Sequence, residues 1–115
     1  MNMLLEYKLP LTDLKPNYMV KVTLHDETRN ESFWVWIESI ESNNVIGIIS
    51  NNLLTDKLEI GQKISFHINC IKEISNRSYT KEQTETSILI SKARNNPITK
   101  YFESLNVKFS NLNNN

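Results

Sequence analysis

The side chains most often used as metal ligands, nucleophiles or general bases are scarce in this chain. Its 2 histidines are His25 and His67, and Cys70 is its 1 cysteine. His67 and Cys70 are three residues apart on a predicted strand, so they should point to opposite faces and could not share a metal ion. The residues therefore predict no metal site and no cofactor.

Sequence motifs of catalysis are also missing. The chain has no Gly-x-Ser-x-Gly elbow, no phosphate-binding glycine loop and no His-Glu-x-x-His pair, and its 2 glycines leave little material for such turns. The acidic neighbours Asp26, Glu27 and Glu31 lie in a polar stretch that is typical of a solvated hairpin loop. We expect the protein not to be an enzyme, although a nucleophile and a base that only folding brings together would leave no motif.

The segment Phe33–Trp36 carries the most distinctive group of side chains. Trp34 and Trp36 should project from one face of a strand, about 7 Å apart, which is the arrangement of a stacking platform for single-stranded nucleic acid. The same face could instead pack beneath a C-terminal helix or form a protein-binding patch. The side chains that could cover it are Tyr101, Phe102 and Leu105. The residues predicted to bind a ligand are Trp34, Trp36, Tyr101, Lys92 and Arg94.

Composition points to one small globular domain. The chain has 115 residues, of which 39% are hydrophobic and 23% charged. It contains no apolar run near the roughly 20 residues that span a bilayer and no secretory signal, so we expect an intracellular, cytoplasmic protein without a membrane partner. With 13 basic and 13 acidic side chains the net charge is zero, and no basic cluster marks a phosphate-binding surface.

Amino-acid composition adds a hint about the genome of the source. Asparagine and isoleucine are abundant, whereas Ala93 is the only alanine, as expected of an AT-rich genome. Such a genome could belong to a low-GC bacterium, a bacteriophage or a large DNA virus, so a viral protein is one interpretation.

Alternating apolar and polar residues predict a β-rich core over residues 18–74. Gly47 lies inside a predicted strand, where glycine often marks a bulge or bend. The expected fold is mainly β (α+β): a small, strongly bent antiparallel sheet or SH3/OB-like barrel of about five strands, with one or two C-terminal helices. An entering strand or arm, followed by a turn, precedes the core over residues 1–17. A connector at 53–58 should tuck two leucines under the sheet. The strands are predicted at 18–24, 32–40, 45–50 and 64–71.

The composition changes after Ile74. Thr80 and Gln83 fit a capping box, which favours a helix from about Lys81 to Ala93, with a strand at 86–91 as the alternative. A second helix should start at Asn96-Pro97. We therefore expect a single domain at 1–110, with helical additions at 80–105 and a disordered tail at 111–115.

The central stretch carries a recurring order: an aromatic strand, a glycine in the next strand, an asparagine turn and a Leu-x-x-Gly-x-x-Ile-x-Phe entry to the last strand. The residues that carry this order include Phe33-Trp34-Val35, Ile46-Gly47-Ile48, Asn51, Leu58, Gly61, Ile64 and Phe66. In this order the chain resembles the YegJ-like bacterial proteins of unknown function, and similar small β modules of large DNA viruses. The resemblance covers residues 30–74 and implies a compact β-rich module without established activity or catalytic residues.

Two functions remain open from the residues. The leading prediction is a non-catalytic β-barrel module that binds another protein or its own copies through an apolar or aromatic surface. Balanced charge favours this over nucleic acid. The alternative is an RNA or single-stranded DNA binder that stacks bases on Trp34 and Trp36. Its phosphate-facing residues would be Lys92, Arg94, Lys100 and Lys108.

Overall fold

A computed structural model describes residues 2–3, 14–25 and 27–94. Within these ranges six strands are followed by one helix. The second helix predicted at Asn96-Pro97, the aromatic residues Tyr101, Phe102 and Leu105, the basic residues Lys100 and Lys108, and the tail at 111–115 lie outside the described residues. The elements are β1 (Asn2–Met3), β2 (Tyr18–His25), β3 (Asn30–Glu41), β4 (Asn44–Ile49), β5 (Lys63–His67), a 3-10 helix (Ile68–Cys70), β6 (Ile71–Ser78) and α1 (Lys81–Arg94).

The predicted strand at 64–71 is wrong in its second half. The alternation that runs through Phe66 is interrupted by the 3-10 helix Ile68–Cys70, after which the chain continues as β6 to Ser78. The His67 side chain caps this helix by accepting a hydrogen bond from the Asn69 N–H at 3.0 Å. A side chain that binds the backbone locally can end a strand that hydropathy alone would extend.

The sheet is antiparallel, with the strand order β1-β2-β3-β4-β5 and with β6 also paired to β2. Because β3 runs along one edge of β2, β1 and β6 must share the other edge. β5 and β6 are joined by only 3 residues, and three extended residues reach no more than about 11 Å. The sheet is therefore bent until its two outer strands approach each other at one end.

The predicted barrel is not formed, because the sheet stays open. No ladder joins β5 to β6 within the described residues. The 3-10 helix turns the chain between these strands, and the Ile68 N–H donates instead to the Asn43 carbonyl at 2.9 Å. The pairing of β6 with β2 is itself interrupted by irregularities next to Met19 and Val22. The architecture is thus a mainly β, open antiparallel sheet with one described helix.

The concave face of the sheet holds the hydrophobic core. Alternate residues of β2, β3 and β4 point into it and are almost fully shielded from water. Burying one such side chain contributes roughly 1.5–3 kcal/mol, so this layer supplies most of the driving force for folding. The fully buried side chains are Val20, Val22, Leu24, Phe33, Val35, Ile37, Val45 and Ile49.

Gly47 sits beside the irregularity that its position in the sequence predicts. It pairs with Ile37, and β3 then carries one extra residue, Glu38, before pairing resumes at Ser39. A Cβ atom on Gly47 would lie 2.5 Å from Val35 Cγ1 and 2.6 Å from the Trp36 carbonyl oxygen. Only glycine allows β4 to approach β3 this closely.

The structure confirms the capping box predicted at the start of the helix α1. The Gln83 N–H donates to Thr80 Oγ1 at 3.0 Å, and the Thr80 N–H donates to Gln83 Oε1 at 2.9 Å. Residues 86–91 are therefore helical, and the alternative strand is wrong. Thr84 and Ile88 are the buried residues of the helix, and Ile88 lies against the tight turn at Gly61. Within the described residues, no helix is long and apolar enough to cross a membrane.

Replacing Gly47 by alanine should destabilise the protein by about 1–3 kcal/mol, because the new methyl group overlaps the β3 backbone, which cannot retreat without breaking pairing. Urea unfolding followed by circular dichroism measures the change. Ser65→Ala, on the exposed face of β5, is the control and should change stability by less than about 0.5 kcal/mol. Equal midpoints for Gly47→Ala and the wild type would contradict the close approach.

Candidate binding slot beside Trp34

The two tryptophans lie on the convex face of the sheet but differ in their exposure to solvent. Both point to this face, but Trp36 is only 2% exposed, whereas Trp34 is half-buried. The Trp36 indole Nε1–H donates to the Tyr79 carbonyl oxygen at 2.8 Å. The chain that leaves β6 toward α1 therefore passes close to Trp36. Alternate positions on a strand share a face, as predicted, but the two rings do not form an open pair for stacking.

The backbone of Trp34 is fixed on both sides. Its N–H donates to Asn51 Oδ1 at 2.6 Å, and its carbonyl accepts from the Ser50 N–H at 2.9 Å. β4 ends at Ile49, so the Asn51 side chain takes the place of the next residue of the ladder. This is the structural role of the asparagine in the turn. The backbone of Trp34 is thus held in place through both of its polar groups.

A charged pair lies across the strands at Trp34. Lys21 is the ladder partner of both Trp34 and Glu73. Its Nζ lies 3.0 Å from Glu73 Oε2 and 5.6 Å from the centre of the Trp34 ring. The ammonium group therefore makes an ion pair and a cation–π contact at once. Its charge is balanced locally, so this edge of the ring carries no surplus charge.

A cavity of about 280 Å³ opens beside the Trp34 ring, and we call it the Trp34 slot. Its apolar walls come from Trp34, Met19 and the ring-bearing Tyr79, and its polar atoms come from two serines and an asparagine. This volume is at the lower end of ligand cavities and suits one side chain or one planar ring. The lining residues are Met19, Trp34, Ser50, Asn51, Ser75 and Tyr79.

The predicted basic residues lie elsewhere. Lys92 and Arg94 belong to the last turn of α1. Arg94 borders a shallow groove along α1, and Lys92 borders a depression shared with residues 52–60. Neither residue lines the Trp34 slot. The structure therefore does not bring Trp34, Lys92 and Arg94 into one cavity, and the fifth predicted residue, Tyr101, lies outside the described residues.

The histidines and the cysteine are engaged or buried. His25 Nδ1 lies 2.7 Å from Asn30 Oδ1, and His67 Nδ1 accepts the capping hydrogen bond from Asn69. Burial raises the pKa of the Cys70 thiol, and a hydrogen bond to the His67 backbone offsets part of that rise. In the part of the chain that the structure describes, no three His, Cys, Asp or Glu side chains are grouped to hold a metal ion.

Glu31 has a structural role that sequence reasoning missed. Its two carboxylate oxygens accept the backbone N–H groups of Leu54 and Thr55, at 2.6 and 3.0 Å. It therefore fixes the connector between β4 and β5 rather than belonging to a solvated loop. Leu53 and Leu58 tuck against the core, as predicted for two leucines of the connector. Leu54, between them, is 76% exposed, and no pattern in the sequence distinguishes it from its neighbours.

Two substitutions of Asn51 should show how much its hydrogen bond to the Trp34 backbone contributes to stability. Asn51→Ala removes the acceptor of the Trp34 N–H and should cost about 1–2 kcal/mol of unfolding free energy. Asn51→Asp keeps the oxygen acceptor and should retain most of the stability. Chemical denaturation followed by circular dichroism compares the unfolding free energies of the variants. Equal losses in both would show that the hydrogen bond from the Trp34 N–H does not account for the stability that Asn51 provides.

Cys70 should make stability fall in alkaline solution. Its pKa is raised in the folded protein, so above about pH 8.5 the thiol of the unfolded chain ionises first and favours unfolding. The stability that the protonated Cys70 thiol contributes is fully present below that pH and is lost as the pH rises toward the pKa of the folded state. The unfolding free energies of the wild type and of Cys70→Ala are measured at several pH values. The difference between them isolates the pH dependence that Cys70 contributes. A difference independent of pH would contradict the burial of the thiol.

Comparison with known proteins adds no family to this picture. No family model, curated protein or solved structure matches the chain. The resemblance to YegJ-like bacterial proteins and viral β modules therefore stays a prediction, and the candidate site rests on the geometry of the chain itself.

Proposed function

We propose that this protein is a non-catalytic binding module that holds one side chain of a protein segment in the Trp34 slot. The observation that carries the proposal is a half-buried tryptophan, fixed through both of its backbone groups, beside a cavity about the size of one side chain. Tryptophans in such positions commonly supply a large share of the binding energy of protein interfaces. The slot offers apolar walls for the side chain and polar atoms for the peptide next to it.

Local charge supports a protein segment over nucleic acid. Lys21 is paired with Glu73, so the slot adds no net positive charge to attract phosphate. Trp36 is closed off, and Lys92 and Arg94 line other cavities. Among the described residues, those lining the slot include one tryptophan and no lysine or arginine, which differs from the stacked aromatics and basic groove of single-strand binders.

The chemistry of the reactive groups supports a non-catalytic role. Both histidines use Nδ1 in local hydrogen bonds. Cys70 is 5% exposed and its pKa is raised, so its thiol is poorly placed as a nucleophile. None of the three lines the Trp34 slot.

Peptide display on the wild-type protein, with counter-selection on Trp34→Ala, tests the function. We expect peptides that share one apolar anchor and that lose at least about 30-fold in affinity for Trp34→Ala, as a hot-spot residue should. Leu89→Ala, an equally apolar change at an exposed site on α1, is the control and should leave the affinity unchanged.

Tryptophan fluorescence provides the second measurement. The difference between wild type and Trp34→Phe isolates the Trp34 signal, because Trp36 is common to both. A selected peptide should change that signal. Quenching by oligouridylate at low salt, lost as salt rises, would instead assign the nucleic-acid function. Selected peptides that bind Trp34→Ala as tightly as wild type would overturn the proposal.

A further inference from the structure

We infer that α1 is a releasable latch on the convex face: it docks and undocks while the sheet stays folded, and it controls whether Trp36 is exposed beside Trp34. The inference goes beyond the proposed function, because it concerns the movement of α1 and not the ligand of the Trp34 slot. It rests on the path of the docked helix, on the small part of the helix that is buried, and on a buried hydroxyl group without a partner among the described residues.

The docked helix crosses the convex face from β3 toward β5. It starts after Tyr79, whose carbonyl oxygen accepts the Trp36 Nε1–H at 2.8 Å. Further along, Ile88 reaches the turn before β5, since a Cβ atom on Gly61 would lie 3.2 Å from Ile88 Cγ2. The rise from Lys81 to Ile88 is about 10 Å, and β3 and β5 lie two strand spacings apart, also about 10 Å. The first turns of α1 therefore lie over the part of the sheet that begins at Trp36.

A charge interaction places the start of the helix over the same face. Lys63 Nζ lies 2.9 Å from Glu38 Oε1. The hydrogen bond to Lys63 lowers the pKa of the Glu38 carboxyl, and the positive charge of Lys81, the first residue of α1, lowers it further. Because exposed charge pairs contribute little to stability, this attraction orients the helix more than it holds it down.

Little of the helix is buried in the docked state. Thr84 and Ile88 are the buried residues of α1, whereas the apolar side chains of Leu89 and Ile90 are exposed. A helix as short as this one is marginally stable in water by itself. The docked state therefore depends on two side chains and on the attachment at Tyr79.

One of the two buried side chains opposes docking. Thr84 Oγ1 is buried and has no hydrogen-bond partner among the described residues. Leaving a buried hydroxyl unsatisfied costs about as much free energy as burying one aliphatic side chain gains. The contributions of Thr84 and Ile88 to docking therefore largely cancel. Because release lets water solvate the hydroxyl, the undocked helix is a populated minor state.

Release of the helix changes the surface next to the Trp34 slot. Tyr79 is both a wall of the slot and the joint from which α1 starts. With α1 docked, Trp36 is almost fully buried and one indole ring is accessible. With α1 released, Trp36 is uncovered, and two indoles about 7 Å apart share an open face. The latch thus sets whether the convex face presents one ring or two.

Hydrogen exchange of the full chain, read by mass spectrometry, tests the release. The amides of α1 should exchange at least about 100-fold faster than those at the centre of β3, because α1 opens while the sheet stays intact. Thr84→Val removes the unsatisfied hydroxyl and should slow exchange in α1 at least about 5-fold, without changing β3. Thr86→Val, the same change at an exposed site of the helix, is the control and should slow exchange less than about 2-fold.

Iodide quenching of fluorescence tests whether the helix covers Trp36. The chain has 2 tryptophans, so Trp34→Phe leaves Trp36 as the only one. In this background Ile88→Ala should raise the quenching constant at least about 3-fold, and Thr84→Val should lower it. Ile90→Ala, the same change at an exposed site of α1, should leave quenching unchanged. Circular dichroism and urea unfolding establish that the sheet of each variant is folded.

Three outcomes would overturn the inference. The first is an α1 that exchanges as slowly as β3, because the helix then opens only when the whole protein unfolds. The others are equal effects of Thr84→Val and Thr86→Val on exchange, and quenching of Trp36 that Ile88→Ala leaves unchanged. None of these measurements uses a ligand of the Trp34 slot. Failure of the latch therefore leaves the peptide test of the slot untouched, and a slot that binds no peptide leaves the latch intact.

Discussion

The hydrogen bond from the Trp36 indole to the Tyr79 carbonyl determines which part of the convex face is open. Tyr79 stands where the chain leaves β6, and its N–H is in turn bound by the Asn17 carbonyl at 2.9 Å. α1 begins two residues later, at Lys81. The path of the chain over the sheet is therefore tied to one ring of β3. The neighbouring ring, Trp34, is left at the margin, with the Tyr79 side chain as one wall of its slot.

Much of the sheet follows from local chemistry, which is why it could be predicted. Alternation along β2 and β3 places apolar side chains on the core face and a mixed set on the other. Thr80 with Gln83 marks the start of α1 without reference to the rest of the fold. Gly47 predicted an irregularity because a glycine inside an apolar strand usually marks a bulge or a close approach of two backbones. These features depend on residues close together in the chain.

The features that could not be predicted depend on distant partners. Glu31 resembles any charged residue of a polar loop until the connector brings the N–H groups of Leu54 and Thr55 to its carboxylate. Whether Trp34 or Trp36 is exposed is decided by a carbonyl that lies 43 residues after Trp36. The barrel expected from strand spacing stays open because His67 ends β5 and starts a 3-10 turn. In each case a polar group acts at a point where regular backbone pairing stops, and hydropathy patterns do not report such groups.

The return of β6 to β2 also has a consequence for how the chain acquires its structure during synthesis. The pairs β2–β3, β3–β4 and β4–β5 join strands that are consecutive in sequence, so each can form as a hairpin soon after its residues leave the ribosome. Residues 18–22 on the second edge of β2, by contrast, pair with residues 71–78 and stay uncovered until nearly the whole described region has emerged. During that interval an apolar strand edge is exposed, which is the state in which β proteins are most prone to misassemble. The last strand thus completes the sheet and ends a period of vulnerability for the nascent chain.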